Sequence, residues 1–321
     1  MVEGGLTEVL QAGPVLSAVS AATGTQLLLL CPPAGVSLAH SLEGADELVA
    51  LDGLARRAGP VGFLRLWRAL RRRRVDAVLL CTESAWVRAA AHLAGVPRRI
   101  GCRDGLSAVL LSDRVDCPHE ENRARAWLAL SGMFFAAPAA VTATVTPPES
   151  VTARAEQLLA RSDIDDGRPL IAVAPGRGFG EDLGDPWPPE RFAHLANRLA
   201  TEHGAGIVIL GDEGDTATAQ ALRIDLAVPS LDLCGEVDLV TAAAVLSRCR
   251  LLVSADTPLL HLAAAVGTPT VGLFSDTDGA RRAPAGDKHR VVQAVAAGGG
   301  SGAAVRVRVD DMLDGVGDSL G

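Results

Sequence analysis

Residues 253–271 read VSADTPLLHLAAAVGTPTV, and three of them, Asp256, Thr257 and His261, can reach one ligand at a helix mouth. A β-branched apolar run leads into Asp256-Thr257-Pro258, and a small apolar helix follows until Gly267 stops it. Asp256 or Thr257 is the N-cap candidate and Pro258 falls at or near the first helical position. Such a helix start presents N–H groups and positive dipole, a natural seat for phosphate. Asp256 can accept hydrogen bonds from sugar hydroxyls, Thr257 can donate to a phosphate oxygen, and His261 lies one turn further in. The same residues read equally well as an ordinary cap with a structural histidine. A second stretch, Ala172-Val-Ala-Pro-Gly-Arg-Gly-Phe-Gly180, sets three glycines after a strand. Their spacing is GxGxG rather than GxGxxG, and Asp185-Pro-Trp-Pro-Pro189 intervenes before any helix, which disfavours a dinucleotide oxidoreductase. The loop can instead close over a diphosphate with Arg177 offsetting its charge, or be plain solvent loop. A third stretch, Gly5-Leu-Thr-Glu8, opens an amphipathic helix. Glu8 in its first turn is there a general-base candidate if it faces a ligand, and a cap if it does not.

The elements that must position these residues alternate strand and helix. Short apolar strands are expected at 27–31, 47–51 and 75–81, with helices at 9–22, 62–73 and 84–94. After Pro169 a second series follows: strands 170–174, 206–210, 231–234, 250–254 and 270–274, with helices 188–203, 216–223 and 237–247 between them. Alternation of this kind calls for parallel sheets with helices on both faces. The fold class is therefore α/β, as two Rossmann-like, doubly wound domains facing a cleft, where open sheets bind ligands. The expected division is 1–146, a linker at 147–168 carrying one helix (149–161), 169–300, and a closing strand and helix at 301–321. Gly298-Gly-Gly-Ser-Gly302 reads as a flexible loop.

Composition removes several function classes. The chain has 321 residues and a formal charge of −8, with no interleaved basic and aromatic stripe, so nucleic acid is not an expected partner. No apolar run approaches a membrane span and no signal-peptide pattern is present, which reads as a cytoplasmic protein. Arg71-Arg-Arg-Arg74 reads as a cationic helix end, with a polyanion or acceptor patch as the alternative. The six cysteines (31, 81, 102, 117, 234, 249) show no ligand spacing, so no metal is expected and reduced structural thiols are. Arginine supplies nearly all the positive charge; Lys288 is the single lysine.

Taken together the segments resemble glycosyltransferase family 9, the heptosyltransferase family of GT-B fold. LDLCGEVDL followed by VSADTPLLHLAAAVGTPTVGLF is similar to the family's L-x-G-x-x-x-L and VxxDTGxxHLAAAxGxPxxxLF signature. APGRG with PWPPERFAHLANRL, GLTEVLQAGPVLSAV, Ala94-Gly-Val-Pro-Arg-Arg-Ile-Gly101 and Cys117-Pro-His119-Glu120 fit its other segments. The resemblance implies an inverting, metal-independent transfer of a sugar, by default a heptose, from ADP-heptose or a related NDP-sugar. No cofactor is implied. The acceptor is a glycan, a lipid-linked sugar or a small natural product, with peripheral membrane contact through that acceptor. By position, Glu8 is the catalytic base. Arg177, Asp256, Thr257, Pro258 and His261 meet the donor sugar and diphosphate, Val237 lies along the nucleobase, and Asp215 meets the ribose. The chain also departs from the pattern. Glu8 stands where the family has Asp, Asp185 where many members have Lys, and Pro258 where they have Gly, which removes one N–H from the anion seat. Only Met1-Val-Glu-Gly precedes the first motif, so either the chain starts late or the central strand is absent. A GT-B epimerase or hydrolase, or a non-catalytic nucleotide-sugar binder, are the competing readings.

Overall fold

The computed structural model describes residues 1–24, 26–39, 41–51, 59–118, 122–134, 141–162, 164, 167–176, 187–274, 278–294 and 307–317. The chain divides into two compact units, Met1–Thr144 and Val145–Gly321. No helix among the described residues is long and apolar enough to cross a membrane.

The first unit runs α1 (Leu6–Thr23), β1 (Leu28–Cys31), α2 (Val36–Ala39), β2 (Glu47–Ala50), α3 (Gly59–Arg73), β3 (Ala77–Leu80), α4 (Ala85–Leu93), β4 (Arg98–Cys102), β5 (Asp113–Val115) and α5 (Arg123–Leu128). β1 pairs with β2, and β3 with β4 and β5, all in parallel. Met1 and Val2 lie between the two sets. The Val2 N–H donates to the Leu30 carbonyl at 3.0 Å, and the Cys81 N–H donates to the Met1 carbonyl at 3.1 Å. The Val2–Cys81 bridge is parallel, so these two residues stand in the central position that the sequence left in question. Counted this way, the order β2-β1-Val2-β3-β4-β5 is that of a doubly wound sheet, and its direction of winding reverses at Val2. The helix that leaves this reversal point is α1.

The second unit continues with α6 (Glu149–Ala160), β6 (Leu170–Ala174), α7 (Pro189–His203), β7 (Gly206–Ile209), α8 (Thr216–Ile224), β8 (Ser230–Asp232), α9 (Leu239–Arg248), β9 (Leu251–Ala255), α10 (Pro258–Ala265), β10 (Thr270–Phe274), α11 (Gly279–Arg282), β11 (His289–Gln293) and α12 (Val309–Gly317). Its six strands are parallel in the order β11-β10-β9-β6-β7-β8. The reversal falls between β6 and β9. Residues of β6, β9 and β10 are buried almost throughout, which explains why their sequences are continuous apolar runs rather than alternating ones. The segment 147–168, read from sequence as a linker, carries α6. It packs against α9 through its buried Ala155 and Leu159, within the second unit. α12 packs on α7, with Met312 and Val316 in the core.

Three strands were not foreseen. β4, β5 and β11 are short, charged and partly exposed, so they lack the apolar run that marks the central strands. The helix expected from Val237 starts two residues later, because Asp238 caps it by accepting the Thr241 N–H at 2.7 Å. The strand expected after residue 301 and the Gly298–302 loop lie outside the described residues.

The thiols need one correction. Cys102 and Cys117 form a disulfide, Cα atoms 5.4 Å apart and 15 residues apart in sequence. The pairing joins the end of β4 to the segment just past β5, a tertiary proximity that spacing alone does not reveal. Cys31, Cys81, Cys234 and Cys249 are free and buried. Burial pushes Cys31 and Cys81 up to about 11 and Cys249 up to about 12, so these remain protonated and inert near neutrality. Closing a loop of this length constrains the unfolded chain. Cys117→Ser is therefore expected to cost about 2–4 kcal/mol. This would be read as a lower urea midpoint for the first unit, with a reductant bringing the wild type to the same value.

Candidate functional site

In the first unit, the chain leaves the reversal point through Glu3, Gly4 and Gly5 and enters α1. Gly4 has φ +125°, a conformation costly for any residue with a Cβ. A Cβ there would also stand 2.7 Å from the Glu8 carboxyl carbon. That space lets the Glu8 side chain fold back, and its Oε2 accepts the Gly5 N–H at 2.9 Å. Its Oε1 accepts from Arg123 Nη1 at 3.2 Å. Glu8 is 4% exposed, yet it lines an open pocket of about 230 Å³ with Glu3, Cys81, Thr82, Glu83, Ser84, Arg123 and Trp127. Glu3 is tied up structurally, accepting from Thr82 Oγ1 at 2.7 Å and Trp86 Nε1 at 3.1 Å. Glu3 and Glu8 thus both stand by the sheet's reversal point on the pocket wall, Glu3 held by Thr82 and Trp86 and Glu8 by Gly5 and Arg123.

Thr82, on the lining of that pocket, is held through its carbonyl by a buried arginine. Arg88 of α4 is fully buried. It donates to the Thr82 carbonyl at 3.3 Å, the Cys102 carbonyl at 3.2 Å, the Asp104 carbonyl at 2.8 Å and Ser107 Oγ at 3.0 Å, and it pairs with the Asp104 carboxylate.

In the second unit, α10 starts at the carboxyl end of β9, beside the reversal between β6 and β9. Thr257 is its N-cap residue, in extended conformation, and Pro258 is N1. The Thr257 hydroxyl meets Ser254 Oγ at 2.9 Å, so in this state it is committed to its neighbour. The Leu260 N–H turns to the Thr257 carbonyl at 3.1 Å. Together with the N–H that Pro258 lacks, this narrows the set of backbone donors at the helix mouth. Asp256, Thr257, Pro258 and His261 are all buried. Asp256 does not stand alone as a sugar-hydroxyl acceptor: Arg282 Nε of α11 donates to its Oδ2 at 2.9 Å, with both side chains mostly buried. Nothing in the local sequence of Arg282 announces this; the contact exists only because β10 carries the chain back to the same sheet edge.

A few strands along that edge, the loops after β6, β7 and β8 meet. Asp215 ends a 3-10 turn after β7, and its Oδ2 accepts the Asp212 N–H at 3.2 Å. A Cβ on Gly176 would stand 2.1 Å from the Asp215 carboxyl carbon, and one on Gly211 2.7 Å from Cys234 Sγ. Glycine at 176 is therefore required by close approach. Cys234 is pushed up to about 12, first by burial and then by the carboxylates of Asp215, Asp232 and Asp212. Val237 is half-buried in the turn before α9, and Gly235, two residues before it, packs against Glu213 and Thr216. Asp215 and Val237 are thus gathered at one end of the carboxyl edge and Asp256, Thr257, Pro258 and His261 at its centre. Arg177, Asp185, His119 and Glu120 lie outside the described residues.

Comparison with known proteins gives the family and the fold. Residues 63–299 match the model of glycosyltransferase family 9 (heptosyltransferase). The chain is 30% identical to lipooligosaccharide heptosyltransferase 2 of Haemophilus ducreyi over 161 residues, 48% of this chain and 44% of that one. It thus spans less than half the length of that relative. It is 28% identical to lipopolysaccharide heptosyltransferase 2 of Salmonella typhimurium over 242 residues, 72% of this chain and 68% of that one. In three dimensions it superposes on the ADP-heptose LPS heptosyltransferase II of E. coli with a TM-score of 0.76 and 20% identity, covering 99% of this chain and 97% of that one. That likeness is one of fold, two parallel-sheet α/β units in the GT-B manner.

Proposed function

Because the chain belongs to glycosyltransferase family 9, we propose that it transfers a sugar from a nucleotide-sugar donor to an acceptor hydroxyl, with inversion and without a metal. The observation that carries the reading is the position of α10. Its mouth, with Asp256, Thr257 and Pro258, stands at the carboxyl edge where the second sheet reverses, the place where open α/β sheets receive ligands. A diphosphate set there meets the positive end of the helix. The Asp215–Gly176–Gly235 end of the same edge receives the nucleoside, and the sugar faces Asp256 and His261.

On the acceptor side, Glu8 in the first unit takes the proton of the accepting hydroxyl. That oxygen forms a bond to the anomeric carbon as the bond to the diphosphate oxygen breaks, and the nucleoside diphosphate leaves with the electron pair. ADP-heptose is the proposed donor, in keeping with the names of the similar proteins, and a core oligosaccharide hydroxyl is the proposed acceptor. Incubation with ADP-heptose and a deacylated lipopolysaccharide core is expected to release ADP and give a product of inverted anomeric configuration by NMR. Binding of ADP-heptose without turnover would overturn the catalytic reading, and preference for UDP-sugars in calorimetry would overturn the donor.

A further inference from the structure

The base proposed above is held by a residue from far along the chain, and we propose that Arg123 is its positioning residue. The inference rests on Glu8 as the base. Arg123 is the first residue of α5, whose start is set by Asn122 accepting the Ala124 N–H at 3.1 Å. One turn on, Trp127 lies beneath the guanidinium, 5.8 Å from ring centroid to the Arg123 carbon. The aromatic face leaves the cation little freedom to swing away. Its Nη1 reaches Glu8 Oε1 at 3.2 Å, across 115 residues of sequence.

The consequence is geometric. Glu8 Oε2 is fixed by the Gly5 N–H and Oε1 by Arg123, so the carboxylate plane is clamped at both ends. Glutamate has one more torsion than aspartate, the residue expected at this position by family resemblance. The second clamp removes the freedom that the longer arm adds. A general base works only within hydrogen-bond reach of the proton it takes, and a misplacement of about 1 Å costs on the order of 10²-fold. Charge adds to this. Glu3, Glu8 and Glu83 line one pocket, and Arg123 is the cation on its wall, which keeps the acidic cluster from repelling the base out of place.

The test compares Arg123→Gln, Arg123→Lys and Glu8→Gln with wild type, using ADP-heptose and deacylated lipopolysaccharide core. Arg123→Gln is expected to lower kcat by about 10–100-fold with KM for both substrates within about twofold. Arg123→Lys should recover part of the loss, and millimolar guanidinium should partly restore Arg123→Gln. A merely structural role predicts no rescue. Unchanged kcat, or a rise in KM alone, overturns the assignment. Should Glu8→Gln keep full activity, the base itself is wrong; should it be inactive while Arg123→Gln behaves as wild type, only the positioning role falls. If the wild type turns over neither substrate, the crystal structure of Arg123→Gln decides: a rotated Glu8 carboxylate supports the clamp, and an unmoved one overturns it.

Discussion

Glu8→Gln is expected to lower kcat by about 10²–10⁴-fold, the usual contribution of a positioned general base, while leaving the fold intact. The amide is nearly isosteric with the carboxylate, and its oxygen can still accept from the Gly5 N–H or from Arg123. It cannot take a proton. Because the substitution removes a step and not a binding contact, KM for ADP-heptose should stay within about threefold while kcat/KM falls with kcat. Steady-state kinetics by coupled ADP release, with circular dichroism to verify folding, checks both halves. Activity within about threefold of wild type would remove Glu8 from the mechanism. Glu8→Asp is the companion variant. It restores the residue expected by family resemblance but shortens the arm, so it should lose activity here by retracting the carboxylate from its two donors.

The second large effect is on stability. Arg88→Met is expected to destabilise the first unit by about 3–5 kcal/mol, because it strands the buried Asp104 carboxylate without its cation. Arg88 is 0% exposed and the Asp104 side chain 10%, so solvent offers little replacement. The same substitution frees the Thr82, Cys102 and Asp104 carbonyls and Ser107 Oγ. Chemical denaturation followed by intrinsic fluorescence should show a lower midpoint for the first unit with the second unaffected. Pairing it with Asp104→Leu removes the stranded charge and should recover a substantial part of the loss. A shift below about 1 kcal/mol for Arg88→Met alone would mean that the pair contributes no more than a surface bridge.

What the sequence disclosed was whatever a short window encodes. Pro258 at N1, Gly267 after the helix and the apolar runs of β9 and β10 are local signals, and the α10 mouth follows from them. Strands β4, β5 and β11 escaped because Arg98-Arg99 and Asp113-Arg114 break the apolar pattern and their pairing comes from neighbouring strands. The partners of the site residues escaped for a stronger reason. Arg123 finds Glu8 across 115 residues, Arg282 finds Asp256 across 26, and Cys102 finds Cys117 only through the turn past β5. No periodicity carries such information. The candidates read as bare functional groups therefore emerge in the structure as members of pairs: Glu8 with Arg123, Asp256 with Arg282, Thr257 with Ser254.

The stretch between Cys102 and Cys117 is secured twice, once by the covalent bond and once by Arg88 gripping Cys102, Asp104 and Ser107. The two fastenings meet at Cys102 but act differently: Arg88 holds the near end at Cys102, Asp104 and Ser107, and the disulfide ties that end to Cys117. Neither replaces the other, because Arg88 does not reach Cys117. Since they share Cys102, the two losses combine non-additively. Thr82, which Arg88 also holds, lines the Glu8 pocket, and so one buried guanidinium braces both the disulfide-linked strip and a wall of that pocket.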